Sequence, residues 1–203
     1  MAEWWDKKSQ IPLDNDNFQE ILKFYLFQCP AEIEKGSKKD GTLKYEKVSK
    51  QAISLRQQGW VKGNLNTLRA TMKNTTSGHL VYQKCKSADD IAVKCLQIEE
   101  NSTLNDDEFE MIIITERSDM NLTNAIFYYI RNAFAHCSFS IVRNEKNVTY
   151  YLENSKEGKI KARIRLREQT LLKWIKDFQR PQIALKTVLS EKRKKQKQRG
   201  QAA

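Results

Sequence analysis

The sequence predicts a mainly α fold: a helical bundle with a small antiparallel β-hairpin or three-stranded sheet inserted after its most apolar helix. Three observations predict it. Apolar residues recur at helical spacing in successive segments ahead of residue 136. Phe139, Ile141, Val148, Tyr150 and Leu152 then fall in β-favouring runs around the polar turn 143–147. Finally, residues 159–167 alternate strictly between cations and apolar side chains.

Taken in order, Asp16-Asn17-Phe18-Gln19 reads as a capping box opening a first helix. Phe18, Ile21, Leu22 and Tyr25 form its inner face, and Pro30 stands beyond its end. Tyr45, Val48, Ala52 and Leu55 predict a second helix closed by Gly59, and Val61, Leu65, Leu68 and Met72 a third. A short extended piece and a helix over residues 88–96 follow. The apolar residues 111–114 are expected to enter the core from within an acidic stretch. Ser118 or Asp119 caps the next helix, whose Leu122, Ile126, Phe127, Ile130, Ala133 and Phe134 face inward. After the three strands, Leu171, Leu172, Ile175 and Phe178 build a helix ending near Pro181, and a last helix runs into the tail.

With 203 residues the chain can bury one core. Residues 1–190 read as a single domain: N-terminal helices over 1–100, then the most apolar helix, the hairpin and C-terminal helices over 101–190. Residues 191–203 read as a disordered basic tail. The net charge of +11 is uneven. Residues 191–199 hold six cations and one anion, residues 38–73 nine cations and two anions, and residues 99–119 eight anions and one cation. A basic body with a basic tail favours an anionic partner, RNA first.

Cys29, Cys85, Cys95 and Cys137 form no paired spacing and have no clustered histidines, so neither a metal nor a cofactor is expected. Their pattern suits reduced thiols in a cytoplasm. The longest apolar run, residues 125–130, is too short to span a bilayer, and with no leader-like segment the N-x-T matches are not expected to be glycosylated.

The chemistry concentrates in Arg131-Asn132-Ala133-Phe134-Ala135-His136, which holds one of only two histidines. Metal-free RNA cleavage needs a proton acceptor for the 2′-hydroxyl, a donor for the leaving oxygen, and positive charge at the developing phosphorane. Histidine titrates near neutrality and serves either proton step. Arginine presents a permanently charged fork to phosphate oxygens, and an amide such as Asn132 holds a neighbour in place. Five helical residues turn the chain by about 140°, so Arg131 and His136 diverge on a regular helix, whereas Asn132 and His136 share a face. Convergence requires the helix to end or distort near His136, or two copies of the segment to combine in a two-fold dimer.

The stretch from Ile130 to Phe139 resembles the catalytic region of HEPN-superfamily ribonucleases, with their R-N-x-x-x-H motif, and in particular bacterial members with a strand hairpin after it. Lys161-Ala162-Arg163-Ile164-Arg165-Leu166 and Thr170-Leu171-Leu172-Lys173-Trp174-Ile175 share in the resemblance, which covers residues 108–180. It implies a HEPN-like helical domain, a homodimer, and metal-independent cleavage leaving 2′,3′-cyclic phosphate ends. It also implies a toxin–antitoxin or antiviral defence role, with an antitoxin or defence-system partner. Arg131 and His136 would be catalytic, Asn132 their polar neighbour, and a glycine would stand where this chain has Cys137.

Lys159, Lys161, Arg163, Arg165 and Arg167 fall on one strand face about 6.5 Å apart, a spacing that can follow successive phosphates. Tyr128, Tyr129, Tyr150 and Tyr151 are candidates for base stacking, though some are expected in the core. Competing readings are a non-catalytic nucleic-acid-binding module built on the basic helices around Gly59, and a HEPN scaffold that binds a partner chain.

Overall fold

A computed structural model describes residues 15–37, 39–55, 57–60, 65–101 and 109–179. Val61 of the expected third helix, Pro181, the expected last helix and the basic tail lie outside these residues.

Helix α1 (Asp16–Leu22) is capped by Asn15, whose side chain accepts from the N–H groups of Asn17 (2.9 Å) and Phe18 (3.2 Å). The cap thus sits one residue ahead of the predicted box. The helix continues as a π-helical turn, Lys23–Phe27, where the Gln28 N–H reaches back to the Lys23 carbonyl at 3.1 Å.

The second predicted helix does not form. Strands β1 (Glu32–Ser37) and β2 (Leu43–Lys47) pair as an antiparallel hairpin instead. Ala52 and Leu55 are still buried, but a non-helical segment delivers them. Local bonds explain this. The Val48 N–H donates to the Ala31 carbonyl at 3.1 Å and the Leu55 N–H to the Pro30 carbonyl at 3.4 Å, while the Ser49 hydroxyl donates to the Phe27 carbonyl, so this segment is tied to the chain before it rather than into a helix of its own.

Next come α2 (Leu65–Thr75), β3 (His79–Cys85), α3 (Asp89–Asn101), β4 (Phe109–Thr115), α4 (Leu122–Ala135), β5 (Phe139–Arg143), β6 (Val148–Lys156), β7 (Lys159–Arg167) and α5 (Glu168–Gln179). The last five strands form one sheet in the order β3-β4-β7-β6-β5, parallel between β3 and β4 and antiparallel elsewhere. The mainly α expectation is therefore overturned: this is a mixed α/β fold around a five-stranded sheet. The three strands after α4 do form, but β4 and β3 extend them. Strand β4 escaped prediction because all seven of its residues are buried, so no polar alternation marks it.

The sheet separates two apolar layers. Ile112, Ile114, Ile164, Leu166, Tyr150 and Leu152 meet Phe18, Ile21, Met72, Phe127, Phe134 and Trp174 on one face. Phe109, Met111 and Ile113 meet Ile91 and Cys95 of α3 on the other. Each such fully buried large side chain contributes about 1.5–3 kcal/mol relative to exposure. Several polar groups taken inside are bonded. Glu110 accepts from the N–H groups of Gly78 (2.7 Å) and Arg167 (2.8 Å), and the Trp174 indole donates to the Met72 carbonyl at 2.8 Å. Among the described residues, no helix is long and apolar enough to cross a membrane.

Candidate active site

The most apolar helix, α4, carries the candidate residues. Its N-cap is Asn121, not Ser118 or Asp119; the Asn121 side chain accepts from the Asn124 N–H at 3.0 Å. Ala125, Ile126, Phe127, Ile130, Ala133 and Phe134 bury its inner face. The helix is held to the sheet at both the middle and the end. Tyr129 shares a 2.8 Å hydrogen bond with the Thr115 hydroxyl, and the Asn154 amide donates to the Tyr129 carbonyl at 2.6 Å. The Phe134 ring meets Phe139 edge-on at 5.1 Å, an arrangement worth about 0.5–1.5 kcal/mol beyond its buried area.

The helix stops by a specific device. His136 is the C-cap, and Cys137 takes a left-handed conformation, φ +52°. The Ser138 N–H then reaches the Ala133 carbonyl (2.8 Å) and the Cys137 N–H the Phe134 carbonyl (3.2 Å). That pair of bonds is a Schellman motif, which usually places glycine where Cys137 stands. One residue later the chain joins the sheet, with the Glu153 N–H donating to the Ser138 carbonyl at 3.0 Å. The position of His136 is thus set by backbone bonds on both sides.

Arg131 and Asn132 are half-buried, and His136 and Cys137 are exposed. The Arg131 Nη1 donates to the Asn132 Oδ1 at 3.0 Å, while the Arg131 Nε is buried with no hydrogen-bond partner among the described residues. Arg131 also lies near Cys29, whose thiol donates to the Phe127 carbonyl at 3.5 Å. Burial pushes that thiol up to about 12, against a smaller opposing pull from the Arg131 charge. No side-chain hydrogen bond or ion pair engages His136 among the described residues, so its ring meets solvent.

The structure therefore joins Arg131 to Asn132 and leaves His136 apart. The helix is regular to Ala135, and the His136 N–H still reaches the Asn132 carbonyl at 3.0 Å. Arg131 and His136 consequently leave the axis about 140° apart, and Asn132 and His136 share a side. The helix ends where the sequence suggested, but without the distortion that would turn Arg131 towards His136.

The cationic row on β7 is placed differently from its prediction. Lys159 is exposed and Lys161 half-buried, but Arg163, Arg165 and Arg167 are only 8%, 6% and 9% exposed. Strand β7 lies inside the sheet between β4 and β6, and α3 packs across the face that carries the arginines. Arg163 pairs with Glu153 at 2.9 Å. The Arg165 guanidinium sits 5.5 Å from the Phe109 ring and 5.3 Å from the Tyr151 ring. The Arg167 Nη1 reaches the Ser77 carbonyl at 3.5 Å. The solvated face of five cations is reduced to its first two. Alternation reveals one apolar face but not whether a helix covers the other; Glu153, Phe109 and Tyr151 on the neighbouring strands were the available signal.

Of the candidate stacking residues, Tyr129 and Tyr150 are core, Tyr128 lies under the Arg117 guanidinium at 4.3 Å, and Tyr151 flanks Arg165. Among the described residues, no group of three or more His, Cys, Asp and Glu side chains is placed to hold a metal ion. No protein-family model, curated protein or solved structure matches the chain.

Proposed function

We propose that this chain is a metal-independent endoribonuclease that works as a homodimer and leaves 2′,3′-cyclic phosphate ends. One observation carries the reading: a half-buried guanidinium bonded to an amide, with a solvent-facing imidazole fixed at the end of the same helix. The resemblance of residues 130–139 to the HEPN motif supports it.

In the reaction the 2′-oxygen attacks phosphorus and forms the cyclic ester, and the bond to the 5′-oxygen breaks. The 2′-hydroxyl proton passes to one imidazole, and another proton reaches the departing oxygen. Arg131 supplies charge to the phosphorane oxygens, and Asn132 holds the fork in its plane. The 140° divergence within one chain favours a site shared by two copies, in which the Arg131–Asn132 pair of one faces the His136 of the other. Lys159 and Lys161 remain as RNA contacts on β7. The same reading puts the protein in the cytoplasm, with an antitoxin or a defence-system protein restraining a toxic activity.

Purified protein is expected to cut cellular RNA in the presence of EDTA, and His136→Ala to lower the rate by roughly 10²–10⁴-fold. Salt-sensitive RNA binding without cleavage, unchanged in Arg131→Ala and His136→Ala, would instead support a non-catalytic binding scaffold.

A further inference from the structure

A separate feature lies away from the motif, a cavity of about 540 Å³ between α2, strand β3 and the first turns of α4. Its volume falls within the range of small-molecule sites. Ile112, Ile126 and Trp174 make an apolar floor continuous with the core. Three cations, Arg69, Lys73 and Lys84, stand around the mouth. Among the described residues one carboxylate answers them, Glu116, bonded to Lys84. Arg69 spends one nitrogen on the Asn66 amide oxygen at 3.1 Å and keeps the rest of its fork.

The half-buried Tyr82 adds a polar group that the fold does not use. Its hydroxyl is buried and has no hydrogen-bond partner among the described residues. Desolvation pushes the phenol up to about 12, so the group stays protonated and can donate. An acyl chain entering the groove would leave that hydroxyl unpaired. A nucleobase edge would satisfy it, while the base face covers the apolar floor and the phosphate meets the cations.

We infer that this groove binds a nucleotide unit, with the base against Tyr82 and the apolar floor and its phosphate on Arg69, Lys73 and Lys84. The inference rests on the ribonuclease reading only in naming RNA as the source. The groove and the motif share α4: Ile126 and His136 are ten residues apart, about 15 Å along the axis. A strand held at one place can therefore be presented at the other.

The test uses the full-length His136→Ala protein, so that bound RNA stays intact, with adenosine 5′-monophosphate and a 5′-phosphorylated RNA hexamer as titrants. Binding by both is expected, tighter for the hexamer if RNA is the source and equal if the free nucleotide is. Ala70→Trp, at an exposed position on the groove wall, should weaken binding at least tenfold with an unchanged melting temperature. Arg69→Ala with Lys73→Ala should flatten the salt slope for the hexamer by about 1.4. Tyr82→Phe should weaken the mononucleotide without loss of stability. Binding of neither titrant, binding of decanoate in their place, or indifference to Ala70→Trp would overturn the inference. Cleavage by wild-type protein is scored separately: cleavage dependent on His136 with no groove binding removes only the groove, and groove binding without cleavage removes only the ribonuclease.

Discussion

Cys137 holds a left-handed backbone, φ +52°, directly after the imidazole proposed for catalysis. A side chain at such a position costs roughly 1–2 kcal/mol, part of which glycine returns through its greater freedom when unfolded. Cys137→Gly is therefore expected to stabilise the fold by about 0.5–1 kcal/mol, read as a higher urea midpoint at unchanged slope. A lower midpoint would mean that the Cys137 side chain makes stabilising contacts that outweigh the strain of its left-handed backbone. The same residues mark how far single positions could be read. Arg131, Asn132 and His136 were legible as a chemical set, and the end of the helix followed from the β-favouring sequence after Cys137. What was not legible was direction. Whether Arg131 turns towards His136 depends on a distortion that does not occur, and the nearest partner of its fork is Asn132.

Strand β7 shows the corresponding gain and loss for an element. Its alternation correctly marked a strand with one apolar face, because Ile164 and Leu166 point into the main core. The other face was unreadable, since an arginine can lay its stem across apolar surface and find an acid or a ring within the sheet. For Arg163 that partner is Glu153, with both side chains mostly buried. Arg163→Ala would leave the Glu153 carboxylate without its cation and is expected to destabilise the protein by about 2–4 kcal/mol in urea unfolding. RNA binding by the folded variant should be unaffected. A loss of RNA affinity with full stability would return this arginine to the surface role that its burial denies. Where burial on both faces removes the alternation, as in β4, whose Glu110 and Thr115 are buried with the rest, its type could not be read.

For the molecule as a whole, the five-stranded sheet was missed because it needs β4, which is buried on both faces; β3 answers to the short extended piece expected before residue 88, but without β4 nothing joins it to the three later strands. That packing carries a pH signature. Burial raises the Cys29 and Cys95 thiols from 9.0 to about 12, and the Tyr82 phenol from 10.0 to about 12. Unfolded thiols ionise above about pH 9 while the folded ones keep their protons, so the folded state binds more protons in that interval. Stability should be complete below pH 9 and fall as the pH rises towards 12, with a shallower fall in Cys29→Ala plus Cys95→Ala. An unchanged urea midpoint across this window would contradict the burial of these groups. The proposed activity makes a further demand on the whole assembly, since Arg131 and His136 diverge within one chain and must meet across two. Mixing two inactive proteins, Arg131→Ala and His136→Ala, tests this most directly. In a mixed pair one site keeps both an arginine and a histidine, so RNA cleavage should return to about a quarter of the wild-type rate. Persistent inactivity of the mixture, with mixed pairs shown to form, would contradict a site shared between copies.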